Sequence, residues 1–125
     1  ADVLTGPIEG ITNHIISKDD VPVGMFRVDT RYYLAHTFAQ GDTPGIRTFV
    51  IDADKQGQGL GTETCKVMGV YLRGVVPLSR GVYMTVNYKN AGTYRAYTRG
   101  GWTDTGAEYA EGRAGPQHIF WMPLR

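Results

Sequence analysis

Three glycines alternate in the hexapeptide Gln56-Gly57-Gln58-Gly59-Leu60-Gly61. Glycines at such positions allow positive φ angles and let the backbone approach a ligand with no Cβ in the way. A stretch of helical period follows directly, so the amides of the loop and of the first helical turn converge on one electropositive hollow. Such a hollow holds phosphate or pyrophosphate without any basic side chain. Two familiar loops of this kind do not fit. A Walker loop needs Lys-Ser/Thr after its last glycine, and here Thr62-Glu63 follow. A dinucleotide fingerprint needs its third glycine three places after the second, whereas Gly57, Gly59 and Gly61 alternate. Taken alone, a glycine-rich turn into a helix serves structure as often as it serves a ligand.

A second constellation is Asn90, Tyr97 and Gly101-Trp102, spaced as Asn-x6-Tyr-x3-Gly-aromatic. On spacing alone Tyr97 reads as a packed aromatic on a helix face, and Tyr94, one turn earlier, reads the same way. Cys65 falls in the first turn of the long helix, where the dipole lowers a thiol pKa, yet buried packing is the better reading of one small residue there. His14, His36 and His118 are scattered and accompany no carboxylate cluster, so no metal site is expected. No Ser/His/Asp arrangement is legible in one dimension. Charge divides unevenly: residues 1–62 carry 5 basic and 8 acidic side chains, residues 63–125 carry 8 and 4. Chance accounts for this as well as a phosphate-bearing ligand met by Lys66, Arg73, Lys89, Arg95 or Arg99 does.

The elements that must position these residues follow from periodicity. His14–Lys18 and Gly24–Val28 read as a hairpin around a turn over 19–24. Tyr32–Phe38 reads as extended, Gln40–Gly45 as a break, and Ile46–Ile51 as a strand ending at Asp52-Ala53-Asp54. Leu60, Thr64, Val67/Met68, Tyr71 and Val75 recur at three or four residues and lay one stripe along a helix capped by Thr62 and ended before Pro77. Gly81–Val86 is a strand. Asn90 caps a short helix that Gly100-Gly101 terminates, and Trp102–Thr105 and His118–Met122 close the chain as strands. A run of strands followed by strand–helix–strand–helix–strand predicts an α+β fold: a mixed sheet with a parallel pair at its centre.

Composition bounds the possibilities. At 125 residues the chain closes around one core, so residues 1–125 are expected to form a single domain. A hydrophobic fraction of 42% and a charged fraction of 20% exclude a disordered chain. No apolar run is long enough to span a membrane, and no signal peptide is visible. A single cysteine closes no intrachain disulfide, which favours a reducing, cytoplasmic compartment, and it builds no zinc site of several thiolates. A net charge of +1 excludes a bulk nucleic-acid binder.

The two constellations together resemble the GNAT superfamily of acyl-CoA-dependent N-acetyltransferases. That family's loop is Arg/Gln-x-x-Gly-x-Gly/Ala, which Gln56, Gly59 and Gly61 satisfy, and its later signature is a valine-rich strand, Asn, Tyr seven residues on, then Gly-aromatic. Here those are Met84-Thr85-Val86, Asn90, Tyr97 and Gly101-Trp102. The resemblance covers residues 24–122 and implies a mostly antiparallel mixed sheet, flanked by helices, whose central parallel pair splays apart. It further implies acetyl-CoA as co-substrate and a primary amine as acceptor: a small amine, a polyamine or a protein amine. Backbone groups of Ile51, Asp52 and Ala53 would bond the pantetheine arm, lying between the splayed strands as a pseudo-strand. Gln56, Gly57, Gln58, Gly59, Leu60, Gly61 and Thr62 would form the pyrophosphate cradle, and Asn90 would fix the coenzyme near its arm. Attack by the amine gives a tetrahedral oxyanion, for which an amide at the end of the Ile46–Asp52 strand is suited. Tyr97 would protonate the departing thiolate, a transfer only mildly uphill for a thiol of about 8.5 and a phenol of about 10. No general base is identifiable, although Asp29, His36, Asp42 and Asp52 lie on or near the strands.

The front end departs from the family, whose members begin with a strand and two helices that wall the acceptor pocket. Too few residues precede His14 for two helices, so these are expected to be reduced, missing or supplied by a partner, or the acceptor side to be unusually open, and Ala1 in place of Met points to an excised or processed start. A homodimer is one way to complete such a domain. Two other readings stand beside the enzyme: a non-catalytic acyl-CoA-binding module of a larger assembly, and an unrelated phosphate-binding domain.

Overall fold

Asp19 and Asp20 carry φ angles of 52° and 65°, the left-handed pair that a tight two-residue hairpin turn needs and that aspartate tolerates. They join β1 (Ile11–Lys18) to β2 (Val21–Asp29). The turn is therefore shorter than the sequence implied, and Val21 already pairs with Lys18. The computed structural model describes residues 9–110 and 115–125. Beyond the hairpin come β3 (Gly45–Ile51), α1 (Leu60–Val75), β4 (Gly81–Asn87), α2 (Ala91–Arg99), β5 (Thr103–Tyr109) and β6 (Gln117–Pro123). The strands form one sheet in the order β1-β2-β3-β4-β6-β5. This is the mixed, mostly antiparallel α+β sheet that the sequence predicts.

Neighbours in the sheet are antiparallel except β3 and β4, which run parallel and share a single register pair, Gly45 with Tyr83. Beside that rung the Tyr83 amide donates to the Pro44 carbonyl at 3.1 Å. Thereafter the two strands part. A bulge in β3 lies just past this rung: Phe26 faces Phe49 while Val28 faces Ile46, so Arg47 and Thr48 together stand opposite Arg27. An extra residue of this kind bends the strand that carries it, and here it accompanies the divergence of β3 from β4.

Both helices lie on one face. Cys65, Met68 and Leu72 of α1 and Tyr97 of α2 pack with Phe26, Val28, Ile46, Val82, Met84, Val86, Phe120 and Met122 in one buried cluster, and Leu60 is buried as well. The buried stripe of α1 is thus displaced from the predicted one: Val67 and Tyr71 are 64% and 50% exposed, because Cys65, Met68 and Leu72 take the side toward the sheet. Two contacts lock α1 to α2. The Thr62 hydroxyl donates to the Ala96 carbonyl at 3.0 Å, and Gly100 lies so close to Cys65 that any Cβ there would overlap the cysteine's own Cβ.

The opposite face is covered at its lower half by the segment between β2 and β3. Tyr32–Leu34 is a turn of 3-10 helix, not the extended segment predicted over Tyr32–Phe38. Tyr32 is 2% exposed, and its ring occupies the space above Gly45 that a side chain would fill. Its ring stacks with that of His36, centroids 3.9 Å apart, and Phe38 meets Tyr83 and Tyr109 edge-on. The ring cluster sits over the rung that joins β3 to β4. The family comparison for the front end falls partly on residues 1–8, outside the described residues; among those described, a turn at residues 9–10 precedes β1.

Candidate functional site

Above the Gly45–Tyr83 rung the inner edges of β3 and β4 face one another unpaired. The Asp52 amide donates to the Val23 carbonyl at 2.8 Å, and the same register sets Ile51 against Gly24 and Val50 against Met25. Backbone direction alternates along an antiparallel strand. Val50 and Asp52 therefore turn their amides toward β2, and Phe49 and Ile51 turn theirs toward the gap. The Ile51 carbonyl is already engaged by the Gln56 side chain, whose Nε2 donates to it at 3.0 Å. The edge offered to the gap is thus the backbone of Phe49 and the Ile51 N–H. Asp52 and Ala53 do not belong to it, because the Asp52 amide is taken by β2 and Ala53 begins a 3-10 turn.

Gln56 bends the chain back and the glycine loop follows. Gly57 and Gly59 have φ of 81° and 76°, and a Cβ on either would meet nothing within 4 Å. They are glycines for their backbone angle, and the space before them is open. Gly59, not Thr62, is the N-cap of α1, and the Glu63 amide is the one that closes on the Gly59 carbonyl, at 3.0 Å. Glycine brings no side chain to cap the helix, so the amides of Leu60, Gly61 and Thr62 lack intrahelical acceptors and point out of its N-terminus. Thr62 uses its hydroxyl on α2 instead.

These parts enclose a cleft of about 700 Å³ lined by Phe49–Ile51, Lys55–Gly57, Gly59–Thr62, and Asn90, Gly92, Thr93, Ala96 and Tyr97. Of the residues singled out in the sequence, Ile51, Gln56, Gly57, Gly59, Leu60, Gly61, Thr62, Asn90 and Tyr97 come together here. Asp52, Ala53 and Gln58 stand outside the lining. Asn90 occupies the N-cap position of α2, but its side chain makes no capping hydrogen bond. Lys55 is the cation at the cleft; Lys66, Arg73, Lys89, Arg95 and Arg99 do not line it, and the Arg73 Nε donates to the Leu124 carbonyl at 2.6 Å. Phe49 and Lys55 went unremarked in the sequence. Phe49 could have been found from its spacing of two from Ile51 on one strand.

Tyr97 forms one wall of the cleft. It is 9% exposed, its ring stacks on Phe49, and its edge lies 3.9 Å from where a Gly61 Cβ would be. Burial, and secondarily the neighbouring Cys65, push the phenol above its ordinary range. The phenol therefore keeps its proton throughout the physiological range. Cys65, 1% exposed, is pushed up to about 12 by burial, with Trp102 pulling weakly the other way. The helix dipole does not activate this thiol, and it serves packing. Tyr94 donates its hydroxyl to Asp104 Oδ2 at 2.8 Å and packs on Phe120.

None of the four candidate bases lines the cleft. Asp29 accepts from the Arg31 amide at 2.8 Å and from Arg47 Nη1 at 3.1 Å. His36 is stacked on Tyr32. Among the described residues no three His, Cys, Asp or Glu side chains are placed to hold a metal ion, and no helix is long and apolar enough to cross a membrane.

No family model and no curated protein matches the sequence. Solved structures do match the fold. The aminoglycoside acetyltransferase AAC(6')-Ib, crystallised with coenzyme A and kanamycin, superposes with a TM-score of 0.75 at 19% identity, over 92% of this chain and 67% of that one. A further complex of the same enzyme, with acetyl-CoA and paromomycin, gives 0.75 over 66% of its chain. A chimera of the spermidine N-acetyltransferase SpeG from Vibrio cholerae with hSSAT gives 0.70 at 13% identity, over 93% of this chain and 68% of that one. The chain thus spans about two thirds of the length of these proteins.

Proposed function

We propose that this chain, whose fold is that of the GNAT acetyltransferases, transfers an acetyl group from acetyl-CoA to a primary amine. The observation that carries the reading is the gap itself: two parallel strands leave their backbone edges unpaired, with uncapped helix amides at the mouth and a neutral phenol on the wall. A strand-like pantetheine arm fits the Phe49–Ile51 edge. A diphosphate fits the amides from Gly57 to Thr62, where the helix dipole favours negative charge. Acetyl-CoA supplies the activated acyl thioester, and the residues of the cleft hold it against its partner.

As the amine nitrogen bonds to the acyl carbon, the carbonyl oxygen gains charge, and an N–H on the open edge of β3 would stabilise it. The carbon–sulfur bond then breaks, Tyr97 gives its proton to the departing sulfur, the amine's surplus proton leaves to solvent, and a proton taken from solvent restores the Tyr97 phenol. Burial disfavours the charged form of a phenol and of a thiol alike, so a dry site raises both partners of the transfer. The transfer therefore stays near balance.

A non-catalytic acyl-CoA-binding module is the second reading, favoured by the lack of any carboxylate or imidazole in the lining among the described residues. Two measurements decide. Saturating acetyl-CoA, at 100 times its dissociation constant, should stabilise the fold by about 2.7 kcal/mol, and a thiol-release assay over an amine panel should show turnover. Stabilisation without turnover selects the module; no stabilisation removes both.

A further inference from the structure

α1 and α2 wall one side of the cleft with Gly61 and Tyr97, and the acetyl-transfer reading leaves the helix-free face of the sheet to a second reactant. Phe26 and Val28 lie in the core beneath the helices; side chains alternate along β2, so Arg27 and Asp29 belong to the helix-free face. Asn13 on β1 is directly opposite Arg27, and the bulge puts Arg47 and Thr48 opposite it on β3. A row of Asn13, Arg27 and Arg47 thus crosses the sheet where β3 begins to leave β4.

The charges in this row do not cancel. Arg47 is paired with Asp29 at 3.1 Å, and Asp29, 3% exposed, also accepts the Arg31 amide. Arg27 is half-buried, its Nε is shut away from solvent without a hydrogen-bond partner, and no carboxylate, carbonyl or hydroxyl among the described residues engages its guanidinium. Arg47 therefore has its carboxylate in Asp29, and Arg27 has none among the described residues. A partly desolvated cation lacking a counter-ion is costly to keep, and the group that relieves it best is a planar carboxylate, which takes two parallel N–H donors from the terminal nitrogens. A polycation would be repelled by the same pair.

We infer that the acceptor is an amino acid or amino-acid-like primary amine whose carboxylate is held by Arg27 beside Arg47, and not a polycation. The inference rests on the acetyl-transfer reading and names its substrate class. It would separate this chain from a spermidine N-acetyltransferase and from an aminoglycoside acetyltransferase crystallised with kanamycin.

The test titrates the twenty free L-amino acids, their amides, and cadaverine into the full chain saturated with coenzyme A, alongside acetyl-CoA thermal shifts of each variant. At least one amino acid should bind about tenfold or more tightly than its amide and than cadaverine. Arg27→Gln should bring amino acid and amide to parity, and Arg27→Lys should keep part of the preference, both with an unchanged acetyl-CoA shift. Amides or cadaverine binding as well as the amino acids, or a preference that survives Arg27→Gln, would overturn the inference while the coenzyme reading stands. Absence of any acetyl-CoA shift in the unaltered chain would bring down the coenzyme reading and this inference with it.

Discussion

The ring of Tyr97 on α2 lies over that of Phe49 on β3, centroids 4.9 Å apart and planes 18° from parallel. One stack thus ties the second helix to the strand edge that faces the cleft, and fixes where the phenol oxygen can stand. Tyr97→Phe keeps this stack and removes only the proton. Turnover in the thiol-release assay should fall by about 10²-fold or more, with acetyl-CoA affinity and melting temperature nearly unchanged. Unaltered turnover would strip Tyr97 of the acid role.

Gly59 separates charge from backbone strain. Gly59→Asp places a carboxylate in the open space before the helix amides, in a left-handed conformation that aspartate tolerates at modest cost. Gly59→Asn carries the same shape and the same backbone cost without the charge. Acetyl-CoA stabilisation should be lost in the aspartate variant and largely retained in the asparagine variant. Equal loss in both would mean that the loop matters by shape alone.

The crossing of α1 and α2 has no spare room. Gly100→Ala would drive a methyl into the Cβ of Cys65 and to 3.0 Å from the Thr62 carbonyl, and should destabilise by about 2 kcal/mol, as overpacking does. Because the overlap is with Cβ and not sulfur, Cys65→Ala should not restore stability in the double variant. Urea unfolding of the three variants measures this directly, and rescue by Cys65→Ala would show that the crossing relaxes.

Tyr32 and Tyr97 are both raised by burial above the ordinary phenol value of 10.0. In the unfolded chain they ionise near that value, while in the native protein they stay neutral. Stability from this source is therefore complete below pH 10 and declines as pH rises beyond it. Alkaline titration should show two tyrosines that ionise only together with loss of native circular dichroism. Cys65, raised to about 12, should likewise resist a thiol reagent at neutral pH until denaturant is added.

Strand and helix order was legible because the hydrophobic periods are clean from residue 46 onward, and the loop and the Asn–Tyr frame were found by spacing. Other features were not legible. Tyr32–Phe38 has strand-forming aromatics, but Tyr32 gains more by filling the space above Gly45 than by extending. Thr62 has the right chemistry for a cap, yet the helix begins earlier at an open glycine, freeing that hydroxyl for Ala96. Of the Ile51–Ala53 backbone only the Ile51 amide faces the gap, because which amides turn inward depends on pairing with β2, and register across a hairpin cannot be read from one strand. The same holds for Arg27: its position opposite the β3 bulge exists only in the folded sheet.

A sheet normally hides its raw edges at the periphery, where they invite other chains to add themselves. This protein keeps a pair of them at its heart, between a half built from the early part of the chain and a half built from the late part, stitched by one rung. Sheltered there by helices on one side and a plug of rings below, they are out of reach of aggregation yet remain hungry for a guest of strand shape. An occupant would complete the weave, so its arrival should harden the two halves into one continuous fabric.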